Sequence, residues 1–249
     1  MRLAAGIVCY ETKLAERVRR SLPRKVVGVA PNTTGGFGRP TCGRDGRANL
    51  KKALCLRREF YLVGLGRLVA EKEFDRLPYI LARVRAAGLD AGLILVGEGP
   101  ARVPIERRAA DLQLAQGDIV FTGAIGDQQA LANWLGAADI HVHPGAIGLA
   151  VVDAHFAGIP TVIPSPGRKG PYHGPEWSYI QNGETGWVVE ENTDESLAQV
   201  VVDYLRKPAA VRDEMSERCA DYARRNLGIE QMVDGIIETI ELVLRSRKA

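Results

Sequence analysis

From about residue 60 the chain alternates short apolar runs with longer amphipathic ones, and this rhythm limits the possible folds more than any other feature of its 249 residues. "FYLVGLG" (60–66) reads as a strand, and "EFDRLPYILARVRAAG" (73–88) has helical spacing that ends at Gly88. "AGLILVGEGP" is a second strand, followed by a polar helix near 101–113. "DIVFTG" is a third strand and "DQQALANWLGAA" another helix, while "DIHVHPG" and "PTVIPS" complete the series. Apolar strands separated by helices of this length predict an α/β fold, a Rossmann-like parallel sheet with helices on both faces. Three further helical segments follow, 193–206, 208–226 and 229–247. The last, with "MVDGIIETIELVLRS", is expected to pack on the domain rather than lie on a membrane.

A sheet of this kind binds ligands at the carboxyl ends of its strands. "GLGR", "VGEGP", "FTGAIGD" and "HPGAIGL" all fall at that edge. The nicotinamide and flavin fingerprint GxGxxG is absent. In "HPGAIGLAVVDAHFAGIP" (143–160) a strand end meets a turn and then a helix. Free backbone N–H groups at such a junction favour an anion. The turn opens Pro144-Gly145 and offers no charged side chain until Asp153.

Hydrophobic residues at 46% and charged residues at 25% are ordinary for a soluble globular chain. No apolar run approaches the roughly 20 residues that span a bilayer, and Met1 to Tyr10 is too short for a signal peptide. Cys9, Cys42, Cys55 and Cys219 are scattered without a CxxC pair, so free thiols in a reducing cytosol are expected and a metal site is not. The net charge of +3 conceals an asymmetry. Residues 1–60 hold 14 Lys/Arg against 4 Asp/Glu, and the remainder is net acidic. Two readings stay open: peripheral contact with an anionic membrane, or a solvated helix face and loop. Aromatics do not interleave the charges, so no nucleic-acid partner is expected.

Before residue 60, "AAGIVCY" (4–10) and "KVVGVAPN" (25–32) read as short strands around an amphipathic helix, "ETKLAERVRRSL" (11–22). "TTGGFGRPTCGRDGRA" (33–48) has no periodicity and reads as a loop or linker. Residues 1–32, 33–59 and 60–249 therefore form three expected sections: a short N-terminal section, a linker and the main domain. His141 and His143 alternate on a strand and are expected to face opposite sides, with His143 placed to touch a ligand. His155, Trp134 and Trp187 read as packing residues. A loop at 167–177 carries Arg168, Lys169, His173 and Glu176, which are placed to fold over the ligand or to serve the loop's own structure.

Several of these stretches resemble, in order and spacing, the C-terminal donor-binding domain of GT-B glycosyltransferases, specifically the large retaining family four. They are "GRLVAEK" (66–72), "LVGEGP", "FTGAIGDQQALANWLGAADIHVHP", "GLAVVDAHFAGIPTV" and "NGETGWVV". The resemblance covers roughly residues 60–210. Residues 1–32 further resemble the last strand and helix of that family's N-terminal domain.

The resemblance implies roles for individual residues. Arg67 and Lys72 would hold the diphosphate of a nucleotide-sugar without an obligatory metal or other cofactor, and backbone at Gly148 and Leu149 would meet a phosphate. Asp153 would bind the ribose hydroxyls in place of the family's usual glutamate, and Ile125 with Asp127 would border the base. Gly145, Ala146 and Ile147 would form the donor-sugar loop. Gly145 stands where the family usually has a glutamate contacting the sugar, so a backbone amide at Gly145 or the other domain would serve instead. The implied function is retaining glycosyl transfer from a nucleotide-diphosphate sugar by the C-terminal half of a GT-B fold, incomplete without an N-terminal domain, which the rest of a longer reading frame or a separate polypeptide would supply. A non-catalytic nucleotide-binding subunit and a GT-B nucleotide-sugar 2-epimerase stay open as alternatives. The expected location is cytoplasmic, with a peripheral position at the inner face of the membrane also open.

Overall fold

Two parallel sheets organise the protein, for which a computed structural model describes residues 4–36, 44–115, 117–167 and 172–246. The smaller sheet pairs Gly6–Cys9 (β1) with Val26–Val29 (β2), joined by the helix Thr12–Ser21 (α1). Cys9, Ala15 and Val27 form its small core.

Arg44–Ala53 (α2) is a helix, where the sequence pattern predicts linker. Its order comes from tertiary contacts rather than a strong local pattern. Leu50 and Leu54, one turn apart, pack on the core. Lys51 and Arg47, also one turn apart, reach the buried Asp139 at 2.8 and 3.3 Å.

The larger sheet follows the anticipated rhythm. Its elements are Phe60–Leu65 (β3), Leu77–Ala86 (α3), Ala91–Val96 (β4), Arg102–Asp111 (α4), Ile119–Gly123 (β5), Gln128–Gly136 (α5) and Ile140–Val142 (β6). Ala150–Phe156 (α6), Thr161–Pro164 (β7), Gly186–Val189 (β8), Asp194–Leu205 (α7), Ala209–Asn226 (α8) and Ile229–Ser246 (α9) complete it. β8 lies inside "NGETGWVV", which the apolar pattern does not separate as a strand.

All neighbouring strands are parallel, in the order β5-β4-β3-β6-β7-β8. Alternate residues feed opposite cores: Phe60 and Leu62 one, Tyr61, Val63 and Leu65 the other. Each such side chain contributes about 1.5–3 kcal/mol on full burial, so both faces need the helices that cover them. Strand order reverses direction at β3 and β6, whose carboxyl ends therefore open a crevice between diverging connections. Arg67 follows β3 there, and His143 to Gly145 follow β6.

The last helix departs from expectation in its partner. α9 packs mainly on β2 and β1 of the small sheet, not on the large one. Among the described residues no helix is long and apolar enough to cross a membrane.

Candidate functional site

The crevice is built by backbone pairing between the segment after β3 and the turn after β6. Gly66 N–H donates to Val96 O and Leu68 N–H to Glu98 O, so the strand β4 exit fixes the backbone around Arg67. One short helical turn later, Ala70–Lys72 meets the 144–149 turn. Gly145 N–H donates to Lys72 O at 3.1 Å, and Ala146 N–H to Glu71 O at 2.8 Å. A Cβ at position 145 would lie 2.4 Å from Glu71 O and from Lys72 C, so only glycine fits this approach. The glutamate that the resembled family carries here has no room on this backbone. The Gly145 amide is also spent on Lys72 O, which corrects the expectation that it is available to a sugar.

The opposite side of the turn is held by the 173–176 loop. Ile147 N–H donates to His173 Nδ1 at 3.2 Å, and Gly174 N–H to Ile147 O at 2.7 Å. Because its Nδ1 accepts, His173 carries its proton on Nε2 and donates to Pro164 O at 2.8 Å. Burial holds this imidazole below its ordinary pKa, in keeping with that neutral tautomer. Arg168 and Lys169 lie outside the described residues.

Beneath the turn, Lys72 Nζ donates to Ala146 O at 2.6 Å, and His143 Nε2 lies 3.0 Å from the same oxygen. His143 is fully buried and faces Phe74, with ring centroids 4.9 Å apart. It supports the turn from below rather than facing the crevice. The His141 ring is 5.5 Å from it, on the same side of the sheet. The expectation of opposite faces is therefore wrong, because side chains two apart on a strand share a face. His155 packs in the core as expected, its Nε2 on Thr185 O. Trp134 and Trp187 are half-buried against the two cores.

Two cations, Arg67 and Lys72, lie beside the turn, close enough for their charges to interact. Arg67 is exposed, and Lys72 is half-buried. Burial lowers the Lys72 pKa, and the Arg67 charge lowers it further against the opposing pull of Glu71 and Glu176. Like charges held near each other in a desolvated corner favour an anion between them. Beyond the turn, the N–H groups of Gly148 and Leu149 find no acceptor among the described residues. The first turn of α6 follows at once and carries Asp153, whose burial pushes its pKa up to about 6 while a hydrogen bond from Thr34 opposes the rise.

The structure thus gathers Arg67, Lys72, Gly145, Ala146, Ile147, Gly148, Leu149 and Asp153 around one turn. Ile125 and Asp127 follow β5, two strands from β3, and no hydrogen bond among the described residues ties them to that turn. Asp127 instead caps α5, accepting from Ala130 N–H at 2.7 Å. Two contributors had no sequence signal. Asn32 Nδ2 donates to Glu176 Oε1 at 2.5 Å, and Thr34 Oγ1 to Asp153 Oδ1 at 2.7 Å, across separations of 144 and 119 residues.

Comparison with known proteins decides the family. The profile of "Glycosyl transferases group 1" matches residues 59–207, from the start of β3 to the residue after Arg206. The chain belongs to this glycosyltransferase family. A GDP-mannose-dependent alpha-(1-6)-phosphatidylinositol dimannoside mannosyltransferase of Mycobacterium tuberculosis is 32% identical over 166 residues, 66% of this chain and 40% of the relative. A monomannoside mannosyltransferase of Mycolicibacterium smegmatis is 31% identical over 174 residues, 66% of this chain and 43% of the relative. The chain thus spans about 40% of the length of the curated relatives it matches. Among solved structures, Anabaena HepE in complex with UDP and glucose superposes with a TM-score of 0.72 at 17% identity, covering 96% of this chain and 64% of that one. Staphylococcus aureus TarM gives 0.72 at 13%, covering 96% and 44%. The chain thus has the Rossmann-like α/β fold of part of these GT-B glycosyltransferases.

Proposed function

We propose that the crevice binds a nucleotide-diphosphate sugar and presents it for retaining glycosyl transfer. The observation that carries the reading is the pairing of Arg67 and Lys72 beside the free N–H groups of Gly148 and Leu149 at the sheet's switch point. Two cations and two backbone donors suit a diphosphate, and they stabilise it most when it leaves as the nucleoside diphosphate. Asp153, at the far end of the turn, accepts from the ribose hydroxyls. Ile125 and Asp127 border the base. With Gly145 closed to side chains, the sugar is held at the 145–147 loop and by groups from beyond this domain. GDP-mannose is the first donor to try, because the curated relatives named above depend on it.

The reading includes a partner, an N-terminal acceptor-side domain, either elsewhere in a longer protein or on a separate polypeptide. A two-stranded parallel sheet does not stand alone, and the geometry of α9 supports continuation past β1. Gly235 of α9 lies against Val29, Thr239 over Gly28, and Val243 over Gly6. Continuing the same rotation around the helix brings Ile229, Val233, Ile236, Ile237, Ile240 and Leu244 into one exposed apolar stripe beyond β1. An added strand beside β1 would lie beneath that stripe. The reading also places the protein in the cytoplasm, with Lys13, Arg17 and Arg20 on the outer face of α1 meeting anionic lipid at the membrane's inner face.

Incubation of the chain, completed by the N-terminal acceptor-side domain, with GDP-mannose and with UDP-glucose, followed by NMR of the anomeric signals, tests the chemistry. Release of the nucleoside diphosphate with the sugar passed to water or an acceptor is expected. An epimerised nucleotide-sugar would make the protein an epimerase, and a bound but unchanged one a non-catalytic subunit; either result overturns the transferase reading.

A further inference from the structure

The segment that leaves the small sheet does not simply connect it to the large one. It runs along α6 and grips it at two points. Thr34 Oγ1 donates to Asp153 Oδ1 at 2.7 Å. Two residues on, Gly36 has φ +69° and sits against the Phe156 ring, where any Cβ would come within 2.7 Å of the ring carbons. Asp153 and Phe156 are three apart and share a helix face. The left-handed glycine therefore lets the backbone lie flat on that face, which presents the Thr34 hydroxyl to the carboxylate.

The same segment is fixed at its start. Asn32 N–H donates to the Tyr179 hydroxyl at 2.9 Å, and that hydroxyl donates to Tyr10 O at 3.1 Å, just after β1. Asn32 Nδ2 holds the buried Glu176, whose other oxygen lies 4.0 Å from where a Gly148 Cβ would stand. Residues 32–36 thus touch both carboxylates that border the turn, from a stretch that composition marks as featureless.

We infer that Thr34 is a positioning residue for nucleotide binding: it fixes the Asp153 carboxylate in the rotamer that accepts from both ribose hydroxyls. The inference rests on the reading of Asp153 as the ribose acceptor. One donated hydrogen bond occupies a single lone pair of Oδ1, so the other acceptor positions, including all of Oδ2, stay available to a diol. The bond also favours the ionised carboxylate, opposing the burial that disfavours it. Because Thr34 belongs to the connection between the two sheets, ribose binding and the seating of that connection on α6 are coupled, each strengthening the other.

The test measures GDP and 2′,3′-dideoxy-GDP affinities by calorimetry for the native chain and for Thr34→Val, Thr34→Ser and Asp153→Asn. Loss of one oriented hydrogen bond should weaken GDP binding about 3- to 10-fold in Thr34→Val. The dideoxy analogue should bind Thr34→Val and the native chain alike, because it lacks the hydroxyls that Asp153 accepts from. Thr34→Ser should restore native GDP affinity. A general structural defect would weaken both nucleotides equally, and that result overturns the inference. If Asp153→Asn lowers GDP but not dideoxy-GDP affinity while Thr34→Val changes neither, the positioning role fails and the ribose reading stands. If Asp153→Asn fails to discriminate the two nucleotides, or the native chain binds neither, the ribose reading fails and takes the inference with it.

Discussion

Gly145 shows how a single position can be legible as a type and opaque as a cause. The sequence displays an uncharged turn where the resembled family carries a glutamate. Only the coordinates display why, with Glu71 O and Lys72 C each 2.4 Å from any added Cβ. Adding a methyl to so tight a contact forces the turn away from the Lys72 segment. Gly145→Ala is therefore expected to destabilise the protein by about 1–3 kcal/mol, as overpacking of a closed contact does. Urea unfolding checks this, and an unshifted midpoint would contradict the geometry. Arg67, Lys72 and Asp153 are easier cases, because the resemblance to the family picks them out by their place in its motifs. Thr34 is the hard case. Its bond to Asp153 spans 119 residues, and nothing local distinguishes it from a loop threonine.

Among the elements, strands and helices of the large sheet follow from apolar spacing because burial on two faces leaves a strong pattern. α2 does not, since its order depends on Asp139, 88 residues beyond Lys51. β6 illustrates an error of period: His141 and His143 share a face, and both are buried with His155. Burial depresses His141 to about 3 and His155 to about 4, and His143 well below its ordinary value of 6.5. Below pH 6.5 the unfolded chain therefore takes up protons that the folded chain refuses, and stability falls as pH falls. Asp153 acts in the opposite sense, because its raised pKa of about 6 lets the folded state protonate first. Three protons against one, with His173 adding in the same sense, leave a net uptake of at least about two on unfolding near pH 5, a slope of at least about 3 kcal/mol per pH unit. Urea unfolding at pH 7.5, 6 and 5 should show that loss. Equal stability at all three would mean that these histidines are not buried neutral.

At the scale of the molecule, two sheets of unequal size are joined by a gripped connection, and α9 returns from the large one to cover the small one. Order along the sequence does not reveal that return, because a helix pattern records an apolar face without naming what it faces. α9 carries both a packed face of Gly235 and Thr239 and an exposed apolar stripe. The ligand edge of the large sheet, in contrast, was legible, since the βα rhythm predicts a parallel sheet with its ligand-facing turns at the strands' carboxyl ends. The strand order and its switch point between β3 and β6 are instead set by tertiary pairing. The donor site stands or falls on what that edge binds. Calorimetric titration of GDP, UDP and ADP into the chain and into a folded Arg67→Ala, Lys72→Ala variant tests it most directly. Micromolar binding of one nucleoside diphosphate, weakened at least about tenfold in the variant as charge-assisted contacts are lost, is the expected result. Equal affinity in the two proteins, or no binding of any of the three, would contradict the donor site.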